Sequence, residues 1–102
     1  MKNTYQELKL NNGETVKLTL SFGRLLHVKN REPKLYEDLM RILQYKDFDP
    51  VFDSVRVLYV GYLCAKVGSD QEVYTEEDFM DKVPFDLEKI NILAGKLIQG
   101  GK

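Results

Sequence analysis

His27 and Cys64 are each the sole residue of their kind in the 102-residue chain, so a thiol nucleophile with an imidazole base would have to use both. Their settings do not match that task. His27 lies in a helix turn flanked by polar residues, whereas Cys64 sits inside an apolar run where a small buried thiol is ordinary. A zinc site would need two further ligands from carboxylates, and there is no helical His-Glu pattern to supply them. Asp47, Asp49 and Asp53 have a spacing that suggests a calcium loop. The sixth position of that loop is Phe52 instead of glycine and the twelfth is Leu58 instead of glutamate, so these aspartates read as turn and capping residues. Thr75-Glu76-Glu77-Asp78 is acidic in the way that a helix start favours. Gly100-Gly101-Lys102 has no strand before it and no helix after it, which excludes a phosphate loop. No enzyme, metal centre or cofactor is expected from these residues.

A different group stands out. Tyr36, Tyr45, Phe48, Phe52, Tyr59, Tyr62, Tyr74 and Phe85 fall outside the obvious core positions. A domain this small does not readily bury all of them, and half-exposed aromatic residues are the usual anchors of protein interfaces. Phe48, Phe52 and Tyr74 fit a partner surface and internal packing equally well.

The elements that must position these residues can be read in order. Leu8 and Leu10, then Val16, Leu18 and Leu20, alternate with Glu7, Lys9, Thr15, Lys17 and Thr19, which predicts a β-hairpin over about 5–20. Parity decides its turn. A two-residue loop at Asn12-Gly13 would put the two apolar sets on opposite faces, so the loop is Asn11-Asn12-Gly13, with Gly13 left-handed in a bulge, Leu10 opposite Glu14 and Leu8 opposite Val16. Such a hairpin needs helices to cover its apolar face.

Five helices are predicted to follow. Ser21 caps the first, over about 22–30, with Phe22, Leu25 and Leu26 on one face. Pro33 opens the second, 34–45, in which Leu35, Leu39, Ile42 and Leu43 oppose Lys34, Glu37, Asp38 and Arg41; the i,i+4 pairs Lys34/Asp38 and Glu37/Arg41 contribute about 0.3 kcal/mol each. Asp49-Pro50 breaks the chain, and Asp53 or Ser54 caps a central helix over 54–67. Ten of the thirteen residues from Val55 to Val67 are apolar, so that helix is buried on nearly every side, either in the domain's own core or in a partner. Gly61 and Ala65 form a notch for close backbone approach. Thr75 and Asp78 make a capping box for 75–83, which presents Phe79 and Val83 and stops at Pro84. Asp86 caps the last helix, 86–99, with Leu87, Ile90, Leu93, Ala94, Leu97 and Ile98 on one face.

The result is one α+β domain, a hairpin followed by a small bundle of four to five helices. Its 43% apolar content supports a real core, and 15 Lys and Arg against 16 Asp and Glu argue against nucleic-acid binding, which draws on a basic excess. The opening MKNTYQELKL lacks the apolar run of a signal peptide, and no stretch approaches the roughly 20 apolar residues of a membrane span. A cytoplasmic protein is expected.

The hairpin, then SFGRLLHVKNREPKLYEDLMRIL, DPVFDSVRVLYVGYLCA and YTEEDFMDKVPFDLEKI, resembles in order the tail assembly chaperones of siphophages and prophages of Gram-positive hosts. The resemblance covers nearly the whole chain and is carried by FGRL after the second strand, Leu35-Tyr36, VLYVGYLCA at Val57 to Ala65, and TEEDFM at Thr75 to Met80. It implies a small factor of the host cytoplasm, absent from the finished virion. Such a factor binds the long helical tape measure protein, keeps it soluble and helps recruit tail tube protein. Self-association into a homo-oligomer is compatible with that role. Under this reading Phe48, Phe52, Tyr59, Tyr62 and Tyr74 are the partner contacts, with Tyr59 and Tyr62 equally suited to the core. The alternatives are a structural head-tail joining component of the virion and a small helical DNA-binding regulator, the latter disfavoured by helices whose polar sides mix both signs of charge.

Overall fold

The computed structural model describes residues 5–44, 49, 51–69 and 71–99. In chain order these form strands β1 (Gln6–Lys9) and β2 (Thr15–Leu18), then helices α1 (Phe22–Arg31), α2 (Pro33–Gln44), α3 (Phe52–Ala65), α4 (Glu76–Lys82) and α5 (Leu87–Gln99). The architecture is α+β, a two-stranded antiparallel hairpin followed by five helices. Among the described residues no helix is long and apolar enough to cross a membrane.

The hairpin has the register that parity requires. Leu8 lies opposite Val16, Gln6 opposite Leu18, and the Leu10 N–H donates to the Glu14 carbonyl at 2.8 Å. Gly13 closes the three-residue loop at φ +90, a value that L side chains seldom adopt. One face of the ribbon carries Leu8, Leu10, Val16 and Leu18, all buried, and the other is exposed.

α3 is the axis of the domain. It packs against β2 and against all four other helices, and nine of its fourteen residues are buried, which settles that its all-round apolar character serves the chain's own core. Gly61 gives it its closest neighbour: the Thr19 N–H, just past β2, donates to the Gly61 carbonyl at 3.1 Å. A methyl group at that position would stand 3.0 Å from Leu97 Cδ1 and 3.3 Å from Leu18 Cβ. Only the Gly61 half of the expected notch is used in this way; Ala65 is half-buried. Buried residues from both strands and all five helices form one continuous cluster.

Three local expectations are corrected. α3 begins at Phe52, ahead of Asp53 and Ser54, because Asp49 does the capping: its Oδ1 accepts from the N–H groups of Val51 (2.8 Å) and Phe52 (3.2 Å), while Asp53 Oδ2 accepts from the Asp49 N–H at 2.8 Å. In α1 the inward residues are Val28, buried, and Leu25, half-buried, whereas Phe22 and Leu26 are 93% and 56% exposed. Arg24 takes the inward edge instead, its Nη1 donating to the carbonyls of Cys64 (2.9 Å) and Val67 (3.5 Å) at the end of α3, where unpaired acceptors and the helix dipole favour a cation. Arg41 pairs with Asp53 at 3.2 Å rather than with Glu37, since a buried carboxylate is the stronger partner.

Candidate functional site

The expected aromatic set divides between inside and outside. Tyr59 and Tyr62 are 7% and 2% exposed, and they form with Phe79 a buried group whose ring centroids lie 5.1 to 6.0 Å apart. Both hydroxyls are spoken for. Tyr59 donates to the Tyr74 carbonyl at 2.8 Å, and the Tyr62 hydroxyl accepts from the Tyr74 N–H at 2.9 Å, so successive turns of α3 hold both backbone groups of one residue in the α3–α4 connection. Burial removes both tyrosines from any contact surface; they are framework. Helical spacing of two aromatic residues on the most apolar helix of the chain already pointed there.

Tyr74 is half-buried. Its ring stacks on Tyr62 with centroids 6.0 Å apart, Lys82 Nζ lies 4.8 Å from its centroid, and its hydroxyl donates to Glu14 Oε1 at 2.6 Å. The Asn11 N–H donates to the Lys82 carbonyl at 2.8 Å, so hairpin tip, α4 and the connection form one fastened corner. Phe48 lies outside the described residues, as does Tyr45. Tyr36 is half-buried, with Lys29 Nζ 5.2 Å from its centroid.

Phe52 is 57% exposed, and beside it the structure places a residue of the aromatic list that had no assigned role: Phe85, 87% exposed. Between them runs a groove of about 140 Å³ where the start of α3 faces the α4–α5 connection, lined by Val51, Phe52, Val55, Met80, Phe85 and Leu87, with Val83 and Ile90 in its floor. Every lining residue is apolar. The local sequence explains the exposure: Val83-Pro84-Phe85 cannot continue α4, Asp86 caps α5 by accepting from the Lys89 N–H at 3.2 Å, and Phe85 is held between the two helices. Sequence reasoning placed Phe85 among the spare aromatics; the Pro-Phe-Asp junction was the signal that it would be displayed.

Several charged groups elsewhere have structural partners. Asp53 accepts from Arg41 and, at 2.8 Å, from Arg56, whose Nε donates to Glu76 at 2.9 Å. Burial pushes the Asp53 carboxyl up, but the Asp49 N–H and the two arginines outweigh it and hold the group below the usual carboxylate value. Ser54 Oγ donates to Asn91 Oδ1, joining α3 to α5. Cys64 is fully buried and its thiol is pushed up to about 11 by that burial, while His27 is exposed and lines, with Val28, the cleft between α1 and the end of α3. Asp49 and Asp53 are engaged with the helix start, and among the described residues no group of three or more His, Cys, Asp or Glu is placed to hold a metal ion. A second cleft, about 350 Å³, lies between α1 and the end of α3, lined by residues of both charges including Arg31, Glu32, Lys66 and Glu72.

Comparison with protein-family models, curated proteins and solved structures gives no match for this chain. The functional reading rests on the resemblance in sequence together with the geometry of the site.

Proposed function

We propose that this protein is a tail assembly chaperone of a siphophage or prophage, which binds the tape measure protein, keeps it soluble and helps recruit tail tube subunits around it. The observation that carries the reading is the apolar groove between α3 and the α4–α5 connection, with Phe52 and Phe85 displayed at its sides. A tape measure is a long helical chain with apolar stripes. What holds such a chain in solution must offer apolar docking surface on a well-solvated body. Here 31 charged side chains of nearly balanced sign surround a compact core, and three of the exposed large apolar residues, Phe52, Phe85 and Leu87, line one groove.

The contact set differs from the one expected. Phe52, Phe85 and Leu87 take the client, the half-buried Tyr74 contributes the part of its ring that Tyr62 and Lys82 leave uncovered, and Tyr59 and Tyr62 act only by holding Tyr74 in place. The protein works in the host cytoplasm and leaves the assembly before the virion is complete.

Co-expression with the tape measure protein encoded beside its gene is the test. Co-purification of the pair, with a tape measure that precipitates when expressed alone, is the expected result. A tape measure that stays insoluble and unbound overturns the reading, and recovery of this chain from purified particles would point to a head-tail joining component.

A further inference from the structure

The ionic character around the groove is one-sided. In the stretches that line it, residues 49, 51–56 and 76–90, the exposed carboxylates are Asp49, Glu77, Asp78, Asp81, Asp86 and Glu88, and the one exposed cation is Lys89. Of these, Asp49, Asp78, Asp81, Asp86 and Glu88 lie within two residues of groove-lining side chains, as does Lys89, so five carboxylates face one cation there. The remaining charges of these stretches are internally matched: Asp53 is held by Arg41 and Arg56, Arg56 by Glu76, and the half-buried Lys82 sits over Tyr74. Among the described residues Glu77, Asp78, Asp81 and Glu88 have no ion-pair partner. Yet the chain as a whole carries 15 cations against 16 carboxylates, and α1 holds Arg24, Lys29 and Arg31 with no acidic residue. The negative charge is gathered at the groove.

We infer that the groove takes one amphipathic helix whose apolar stripe is flanked by Lys and Arg. The inference deepens the chaperone reading and rests on it for the identity of the client. The flanking charges follow from complementarity, because a basic border on the ligand meets the carboxylates around the groove while an acidic border is repelled. The helical form follows from the lining. The groove is built from helices and their junction, whose side chains there are all apolar, so an extended strand laid in it would leave its own N–H and C=O groups unpaired. A helix satisfies its backbone internally and presents only side chains. A volume of about 140 Å³ admits one anchoring side chain, and Phe52, Phe85 and Leu87 cover the stripe on either side.

The test uses two synthetic peptides of about 18 residues, with leucines at i, i+3, i+4 and i+7 and flanks of either lysine or glutamate. Binding is read by fluorescence anisotropy against the full chain, against Phe52→Ser/Phe85→Ser and against Asp81→Lys/Glu88→Lys. Both double variants alter exposed side chains that take no part in the core, and circular dichroism verifies that each is folded. The lysine peptide should bind about tenfold or more tightly than its glutamate twin, lose about tenfold in the serine variant, and lose its advantage in the lysine variant. Failure of the lysine peptide to bind, equal binding of both peptides, or binding unchanged in the serine variant overturns the inference. The tape measure co-expression separates the two proposals. If the serine variant still solubilises the tape measure, the groove is wrong and the chaperone reading stands. If the lysine peptide binds through the groove but the wild-type chain leaves the tape measure insoluble, the chaperone reading falls and the groove specificity survives.

Discussion

The Thr19 N–H meets the Gly61 carbonyl at 3.1 Å, backbone against backbone, with no side chain of Gly61 to hold the hairpin off the central helix. Two effects oppose each other when that side chain is restored. Alanine improves helix propensity by about 1 kcal/mol, whereas its methyl would press on Leu97 Cδ1 and Leu18 Cβ, and overpacking of this kind costs about 1–3 kcal/mol. The β-carbon of Leu18 is fixed to the strand and cannot swing away, so strain wins. Gly61→Ala should lower stability in urea denaturation by about 1 kcal/mol and Gly61→Leu by more than about 3 kcal/mol; a Gly61→Ala protein as stable as wild type would mean that the hairpin shifts freely.

Asp53 should dominate the acid limb of stability. Its folded-state affinity for protons is depressed, so its contribution is complete above the ordinary carboxylate range and disappears as pH falls through the lowered folded value. Asp53→Asn takes the shared anion from Arg41 and Arg56, which are partly solvated, and should cost about 1–2 kcal/mol at neutral pH. The variant should also lose less stability than wild type between pH 4 and more acidic conditions. Denaturation midpoints collected from neutral to acid pH would show this as converging curves.

At the alkaline end the sign reverses. Burial pushes the Tyr59 phenol up to about 12 from 10, so the folded protein retains a proton that the unfolded chain releases, and stability present below pH 10 is lost as pH rises toward 12. Tyr59→Phe removes this proton linkage together with the hydrogen bond to the Tyr74 carbonyl. It should cost about 1 kcal/mol at pH 7 and flatten the alkaline decline. A decline of unchanged steepness would assign it to other groups.

Cys64 provides a gauge of core opening. Its thiol is sealed and holds its proton up to about pH 11 because of burial, so a thiol-reactive chromophore at pH 8 should react at less than about one hundredth of the rate seen in denaturant. Fast labelling of the native protein would show that α3 leaves the core readily.

Displayed and enclosed phenylalanines should separate cleanly. Phe85→Ser, at a side chain 87% exposed, should change stability by less than about 0.5 kcal/mol, while Phe79→Ala, fully buried against Tyr59 and Tyr62, should cost about 3–5 kcal/mol.

The hairpin register, the caps at Ser21, Thr75 and Asp86, the buried α3 and the Phe79 face were legible because each follows from a short-range rule: period two, period 3.6, or a polar side chain three residues ahead of the N–H it accepts from. What escaped depended on distance. Phe22 and Leu26 share a helical face with each other as the spacing requires, but which face turns inward was decided by Arg24 reaching carbonyls forty residues further along. Arg41 has a local partner in Glu37 and prefers the buried Asp53. The groove was half visible: Phe52 and Phe85 were both marked as spare aromatics, and only the packing of α3 against the α4–α5 junction joined them.

The fastened corner at Tyr74 has a consequence for synthesis on the ribosome. The hairpin leaves the exit tunnel before the five helices, yet its tip is tied to the Lys82 carbonyl and to Tyr74, and the end of β2 to Gly61, all supplied later. A nascent chain cut short before α4 therefore has a formed sequence for its ribbon and nothing to dock it against, with the apolar sides of the hairpin and of α3 open to water. The hairpin and α3 stay uncovered until α4 and α5 have been made.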